Sequence, residues 1–179
     1  MNIQMVQTQK DVSKIELIVL DVDGTMTDGS IYLSDNGIET KKFCVKDGCG
    51  IVLAQTAGID FMILTGRESA CVARRAQELK IRWVFQGIRN KAAHLQQFMK
   101  EHQLHSGQIA YVGDDVNDLA AMQYAGITVC PADASDDMQH DCDIVLSQKG
   151  GEGAVRAFVE WLLKQRNLWE TAVKNLSSI

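Results

Sequence analysis

Proline occurs once in the 179 residues, aromatic residues make up 6% of them, and no apolar run approaches the roughly 18–20 residues that span a membrane. These shortages exclude a collagen-like chain or a membrane span, and the 46% hydrophobic content is ordinary for a globular protein. The first 14 residues are polar and lack the apolar stretch of a signal peptide, so we expect a cytoplasmic protein. A net charge of −5 argues against nucleic acid as the partner.

The cysteines are odd in number and irregularly spaced, at positions 44, 49, 71, 130 and 142. No export signal precedes them, so we expect reduced thiols rather than disulfides. Cys130 and Cys142 with His140 match none of the usual zinc spacings, and a fourth ligand is missing. We therefore expect a core that folds without disulfides or zinc.

Short apolar runs alternate with amphipathic stretches along most of the chain. Residues 15–20 end abruptly at Asp21, which is typical of a buried parallel strand, and the turn sequence at 34–37 predicts a β-hairpin over about 30–43. Further strands are predicted at 61–64, 83–85, 109–112, 127–129 and 144–146, and helices at 50–57, 68–79, 90–101, 116–124 and from about 152. We predict one α/β domain over 1–179, a three-layer Rossmann-like parallel sheet with helices on both faces, a β-hairpin flap, no cap domain and a helical tail at about 152–176.

Polar residues follow several predicted strands, and parallel sheets bind ligands beyond the carboxyl ends of their strands. Asp21 and Asp23 follow the first strand, Thr65 follows another, Lys91 opens a helix, and an acidic segment occupies 113–118. Clustered carboxylates repel one another unless a cation is present, and hard oxygen ligands suit Mg²⁺. The Thr65 hydroxyl and the Lys91 ammonium suit a phosphate. Asp21 is placed to attack phosphorus, and Asp23 to act as acid and base.

The order Asp-x-Asp-x-Thr, Thr, Lys and Gly-Asp-Asp-x-x-Asp resembles the haloacid dehalogenase superfamily of phosphatases, with four motifs in the right order between residues 15 and 144. The resemblance implies that Asp21 forms an aspartyl-phosphate. Asp23 would protonate the leaving sugar oxygen and then activate the water that hydrolyses the intermediate. Thr65 and Lys91 would hold the phosphoryl oxygens.

The same resemblance implies a bound Mg²⁺ ion. Its ligands would be the carboxylate of Asp21, the backbone carbonyl of Asp23 and the carboxylate of Asp114. Either Asp115 or Asp118 would support the site, and the sequence leaves open which of the two does so.

Signalling receiver domains are a second class that combines acids, Thr, Lys and Mg²⁺ on a parallel sheet. Their acidic pair follows the first strand, and the phospho-accepting aspartate follows a later one. Here Asp-x-Asp-x-Thr comes first and the acidic pair comes late, an order that favours a phosphatase. Turnover discriminates the two classes, because a receiver holds phosphate without releasing an alcohol.

The spacing of the motifs leaves no room for a cap domain. Only the hairpin and one helix lie between Thr25 and Thr65, and one helix and one strand lie between Thr65 and Lys91. An open site admits large substrates or is closed by a neighbouring subunit. A two-stranded flap is marginally stable alone, so we expect an oligomer, and the capless members of the superfamily imply a homotetramer.

Within the capless group, several segments resemble the phosphatases of 3-deoxy-D-manno-octulosonate 8-phosphate. The matching segments are 28–29, 31–32, 43–48, 63–67, 87, 90–91, 150–156 and 169–170. The resemblance implies that this small phosphorylated sugar acid is the substrate. The residues it implies as substrate contacts are Asp23, Lys46, Asp47, Gly48, Arg67, Arg75 and Lys91. A cationic lining suits a substrate that carries both a carboxylate and a phosphate.

Three residues depart from that family's pattern. Val52 and Glu152 stand where arginine is common, and Cys44 stands where asparagine is common. The loss of two positive charges keeps open another keto-sugar acid, such as a neuraminate-type 9-phosphate. A non-catalytic regulatory domain is disfavoured, because every residue of the catalytic pattern is present.

Overall fold

The computed structural model describes residues 4–5 and 10–176, and a seven-stranded sheet forms its centre. The strands, including two of a separate hairpin, are β1 (Gln4–Met5), β2 (Leu17–Leu20), β3 (Tyr32–Leu33), β4 (Glu39–Thr40), β5 (Asp60–Leu64), β6 (Trp83–Phe85), β7 (Ile109–Val112), β8 (Ile127–Cys130) and β9 (Ile144–Val145). The order in the sheet is β1-β9-β8-β7-β2-β5-β6. Six strands run parallel, and β1 is antiparallel to β9.

Helices cover both faces of the sheet. They are α1 (Val45–Thr56), α2 (Ala70–Glu78), α3 (Lys91–His102), α4 (Val116–Met122), α5 (Asp136–Asp141), α6 (Ala154–Gln165) and α7 (Trp169–Leu176). Residues of α1, α2, α6 and α7 pack on one face, and residues of α3, α4 and α5 pack on the other. The central strands β2 and β7 are buried along their whole length, as strands covered on both faces must be. In the described part of the chain, every helix is too short or too polar to cross a membrane.

The predicted hairpin forms from β3 and β4, which pair as a two-stranded sheet. The side chain of Asn36 accepts hydrogen bonds from the Ser34 hydroxyl and the Ile38 amide, and Gly37 takes the positive φ that closes the turn. Most of the hairpin is exposed, including its large apolar side chains. The predicted α/β fold with a hairpin flap and no cap domain is confirmed.

Two predicted helices need correction, and two further elements were not predicted. Helix α1 begins five residues before the predicted residue 50. Gly48 and Gly50 are poor helix formers, which hid its first turn. They lie within the helix where it packs closely on Arg75 and Arg156 and where a side chain would not fit. The predicted single C-terminal helix is two helices, since Asn167 adopts a left-handed conformation and the Leu168 amide bonds back to Leu163. Strand β1 and helix α5 were not predicted; both are short and too weakly apolar to show a period.

That the whole of 1–179 forms one domain stays a prediction, because residues 1–3, 6–9 and 177–179 lie outside the described residues. All five cysteines are free thiols, as expected.

Candidate active site

A cleft of about 220 Å³ opens at the carboxyl ends of β2, β5 and β7, the three adjacent strands at the centre of the sheet. The sheet ladder continues one step beyond β2, where the Asp21 amide donates to the carbonyl of Val112, so the side chain of Asp21 emerges at the sheet edge. The residues lining the cleft are Asp21, Asp23, Thr65, Gly66, Arg67, Asp114, Asp115 and Asn117. The structure therefore brings together residues that are up to 96 positions apart in the sequence.

Lys91 is buried next to Asp21. Asn90 caps α3 by accepting a hydrogen bond from the Ala93 amide, which places Lys91 in the first turn of the helix. The buried Lys91 Nζ lies 2.5 Å from Asp21 Oδ1 and 2.7 Å from Asp118 Oδ1. Burial acts to lower the pKa of Lys91, but the two carboxylates outweigh it and raise that pKa. Lys91 therefore stays charged beside Asp21.

Three carboxylates crowd beside this cation. One oxygen each of Asp21, Asp114 and Asp118 lies within 4.8 Å of the others. Burial, followed by the charge of Asp118, raises the pKa of Asp21 to about 7. Burial, followed by the charges of Asp21 and Asp118, raises the pKa of Asp114 to about 8. When all three acids are ionised around one lysine, negative charge is in excess, and a divalent cation would neutralise it.

The donors fit a hard cation. All three are carboxylates, and among the described residues the buried Asp118 Oδ2 has no hydrogen-bond partner, while its Oδ1 accepts from Lys91 and from the Tyr111 hydroxyl. Asp115 is different, because it is exposed and its Oδ1 accepts from the Val116 amide as the cap of α4. Of the two candidate supporting acids, Asp118 is the one in the cluster.

Thr65 lines the cleft, and Gly24 lies beside the acidic cluster. Thr65 is buried directly after β5, and its backbone is held on both sides by hydrogen bonds to Phe85 and Ile88. Gly24 has a φ of +89°, and a Cβ there would overlap the Asp114 carboxylate. Only glycine allows the backbone after Asp23 to pass so close to the acidic cluster.

Asp23 has two cationic neighbours from different parts of the chain. Lys41, just after β4, pairs with Asp23 Oδ1, and Arg67 Nε lies 3.6 Å from Asp23 Oδ2. Lys41 is a site residue that the sequence reasoning missed. No motif marks it, and its approach to Asp23 depends on how the hairpin folds back onto the sheet edge.

The remaining predicted substrate contacts lie outside the lining of the cleft. Lys46 is exposed in the first turn of α1. Asp47 is buried and its Oδ1 accepts a hydrogen bond from the Arg156 amide, so it caps the start of α6. A Cβ on Gly48 would overlap the guanidinium of Arg75, which pairs with Glu78 at 3.2 Å.

The three residues that depart from the family pattern do not line the cleft. Val52 packs half-buried against the core of the sheet face. Cys44 precedes the first residue of α1 without a side-chain capping bond. Glu152 is exposed and lies 3.7 Å from Lys42.

Residues 84–158 match the family model of haloacid dehalogenase-like hydrolases. The Lys91 and Asp114 segments of the site lie within that match. The parallel sheet, the acid-lined cleft at its edge and this match are together typical of a haloacid dehalogenase-like hydrolase.

The 3-deoxy-D-manno-octulosonate 8-phosphate phosphatase of Escherichia coli strain K12 is 40% identical to this chain over 149 residues, which are 83% of this chain and 79% of that protein. The chain therefore belongs to the family of 3-deoxy-D-manno-octulosonate 8-phosphate phosphatases. The predicted resemblance is confirmed.

Two solved structures of similar proteins contain metals. The Moraxella catarrhalis phosphatase of the same name, in complex with a magnesium ion, a phosphate ion and KDO, has a TM-score of 0.88 and 36% identity, covering 92% of this chain and 95% of that one. The cobalt-bound form of the Haemophilus influenzae deoxy-D-mannose-octulosonate 8-phosphate phosphatase has a TM-score of 0.84 and 35% identity, covering 88% and 92%. These metals and the acidic cluster of this chain confirm the prediction of a metal-dependent site.

Proposed function

We propose that this chain hydrolyses 3-deoxy-D-manno-octulosonate 8-phosphate to the free sugar acid and phosphate, through an aspartyl-phosphate on Asp21. The observation that carries the proposal is the convergence of Asp21, Thr65 and Lys91 with an acidic cluster at one edge of the sheet. The substrate follows from relatives of that name at 36–40% identity.

In the first step, a carboxylate oxygen of Asp21 attacks phosphorus while the bond from phosphorus to the sugar oxygen breaks. Asp23 gives its proton to that leaving oxygen, so the sugar departs as a neutral alcohol. The Thr65 hydroxyl donates a hydrogen bond to a phosphoryl oxygen, and the Lys91 ammonium offsets the charge there. Asp23 and Thr65 both line the cleft that Asp21 faces.

In the second step, Asp23 takes a proton from water, and the water oxygen attacks phosphorus. The bond between phosphorus and Asp21 breaks, which frees phosphate and restores the carboxylate. The same residue thus acts as acid and then as base, as the symmetry of the two half-reactions requires.

The metal of this site would be Mg²⁺, held by Asp21, the backbone carbonyl of Asp23 and Asp114, with Asp118 in support. Its chemistry is to neutralise charge on the phosphoryl group and to orient it. This choice is supported by the carboxylate cluster and by Asp118 Oδ2, which lacks a hydrogen-bond partner in the part of the chain that the structure describes. The magnesium ion of the Moraxella catarrhalis relative supports it as well.

The sugar acid would extend from the cleft past Arg67, which lines it, toward the further predicted contacts Lys46, Asp47, Gly48 and Arg75. The apolar side chains on the hairpin are exposed in the single chain, which supports assembly of a homotetramer. The cytoplasmic location stays a prediction.

A panel of sugar phosphates tests the proposal, with phosphate release measured in Mg²⁺ and in excess chelator. We expect 3-deoxy-D-manno-octulosonate 8-phosphate to give the highest kcat/KM, and chelator to abolish turnover. A preference for a neuraminate-type 9-phosphate would select the alternative substrate that the Val52 and Glu152 departures keep open. Equal turnover of unrelated hexose phosphates would refute a sugar-acid phosphatase.

A further inference from the structure

The base of the hairpin lies against the active site of the same chain. Glu39 opens β4, and Lys41 follows directly after the strand. Lys41 Nζ pairs with Asp23 Oδ1 and lies 3.5 Å from Glu39 Oε1. The hairpin therefore supplies two charged groups to the site, although its outer apolar residues face away.

Arg67 closes these contacts into a ring. Its Nη2 lies 2.9 Å from Glu39 Oε1, and its Nε lies 3.6 Å from Asp23 Oδ2. Four charges of alternating sign thus follow one another: Asp23, Lys41, Glu39 and Arg67. We call these four residues the charge ring. Both carboxylate oxygens of Asp23 face cations of this ring.

Lys41 is the most restrained cation of the charge ring. Its side chain is 0% exposed, whereas that of Arg67 is 48% exposed and can move into solvent. A buried ammonium is costly unless it is paired, and Asp23 and Glu39 are the carboxylates within reach of Lys41 in the described structure. The Asp23 carboxyl is consequently held in place from the hairpin side.

We propose that Lys41 is a positioning residue of the phosphatase reaction, which holds the Asp23 carboxyl where it protonates the leaving oxygen. This role rests on the proposed function, in which Asp23 is the acid. Lys41 touches neither Asp21 nor the acidic cluster among the described contacts, so its effect passes through Asp23.

The test compares two esters that differ in their need for an acid. An alkyl phosphate such as 3-deoxy-D-manno-octulosonate 8-phosphate releases a basic alkoxide unless it is protonated. p-Nitrophenyl phosphate releases a stable phenolate and needs little protonation. The ratio kcat/KM reports the steps up to alcohol release, so it isolates the acid role of Asp23 from its later role as base.

We expect Lys41→Gln to lower kcat/KM about 10- to 100-fold for the sugar phosphate, because general acid catalysis contributes about 10²–10⁴-fold in all. For p-nitrophenyl phosphate we expect a change of less than about threefold. Equal losses on both esters, or no loss on either, would overturn the positioning role.

Lys42 provides the matched control. It is the next residue, but its side chain is 53% exposed, and it pairs with Asp28 at 3.5 Å and Glu152 at 3.7 Å on the surface. Lys42→Gln removes the same charge from the same hairpin and should leave both ratios at the native value.

Glu39→Gln is the second variant, and it decides the question if Lys41→Gln does not fold. It removes the link between Lys41 and Arg67 but keeps the contact of Lys41 with Asp23. We expect a smaller loss that is again confined to the sugar phosphate; a loss shared by both esters overturns the proposal. If the native enzyme hydrolyses neither ester in Mg²⁺, the proposed function is refuted. If the native enzyme is active but the variants lose activity equally on both esters, only the positioning role of Lys41 is refuted.

Discussion

Asp21, Lys91, Asp114 and Asp118 form one side of the active site, which we call the corner. The corner is enclosed by the protein's own core, whereas the apolar residues of the β3–β4 hairpin are exposed. Asp118, at the back of the corner, is 0% exposed, and its Oδ1 accepts hydrogen bonds from Lys91 and Tyr111. Leu33, at the outer part of the hairpin, is 70% exposed. Charged residues are thus buried in one region while apolar residues are exposed in the other.

The two regions are stabilised in different ways. Buried charges interact strongly because little solvent screens them, so the corner depends on each partner being present. The exposed hairpin contributes little to the core and is anchored at its base by Lys41 and Glu39. Substitutions in the corner should therefore be severe within one chain, and substitutions on the outer hairpin should act between chains.

Replacing Lys91 should have the largest effect. Lys91→Met leaves Asp21 and Asp118 without their shared cation, so the unfolding free energy without Mg²⁺ should fall by about 3 kcal/mol. Phosphate release should also be lost. Denaturant unfolding in chelator measures the effect, and adding Asp118→Asn should recover part of the stability. A variant as stable as the native protein would show that the corner does not depend on this cation.

The loop that contains Gly150 packs against the loop after β2, and a substitution at Gly150 should have the next largest effect. Gly150 packs against the backbone of Gly24, and a Cβ at residue 150 would overlap the Gly24 carbonyl oxygen. Gly150→Ala should lower the unfolding free energy by about 2 kcal/mol and reduce turnover, because overpacking shifts the loop that carries Asp23.

Gly107→Ala is the control for this loop, since nothing lies within 4 Å of a Cβ built there. It should change the unfolding free energy by less than about 0.5 kcal/mol. Equal effects of the two substitutions would refute a special role for the contact between Gly150 and Gly24.

The corner should also respond to pH and metal. Because the pKa of Asp21 is raised to about 7 and that of Asp114 to about 8, the folded chain holds protons that the unfolded chain has already lost above its ordinary aspartate pKa. Stability in chelator should therefore fall as pH rises from about 4 toward 8 and level off above that. Mg²⁺ should raise Tm more at pH 8 than at pH 6, which thermal unfolding at both pH values measures. A Tm increment that is larger at pH 6 would contradict the crowded-carboxylate account.

The outer hairpin should give the smallest effect on the single chain. Leu33→Ser removes an exposed apolar side chain, so the unfolding free energy of the protomer should change by less than about 0.5 kcal/mol. If the native protein is the proposed homotetramer, light scattering should nevertheless show that this variant forms smaller species. A native protein that is already monomeric at micromolar concentration would refute the assembly.

The residues of the corner could be predicted from the sequence because the ends of buried strands can be recognised there. Asp21, Thr65 and Asp114 each follow a short apolar run, and parallel strands bring their carboxyl ends to one edge. Lys91 was predictable from its place at a helix start after β6. The choice between Asp115 and Asp118 was not, since both precede or open α4 and only packing sends one inward.

Features that depend on contacts between residues far apart in the sequence could not be predicted from it. Lys41 has no motif, and its partner Asp23 is 18 residues away across a loop whose path the sequence does not specify. The early start of α1 was hidden by its glycines, which are poor helix formers but allow α6 to approach. Local patterns thus predicted the elements and the strand-end residues, while contacts between the hairpin and the sheet required the structure.

The most direct test of the account is phosphate release from 3-deoxy-D-manno-octulosonate 8-phosphate in Mg²⁺ by the native enzyme and by Asp21→Asn. The proposed first step needs the carboxylate of Asp21 as the attacking group, so kcat should fall at least about a thousandfold while the variant stays folded. A folded variant that keeps more than about a tenth of the native kcat would contradict the central role of Asp21.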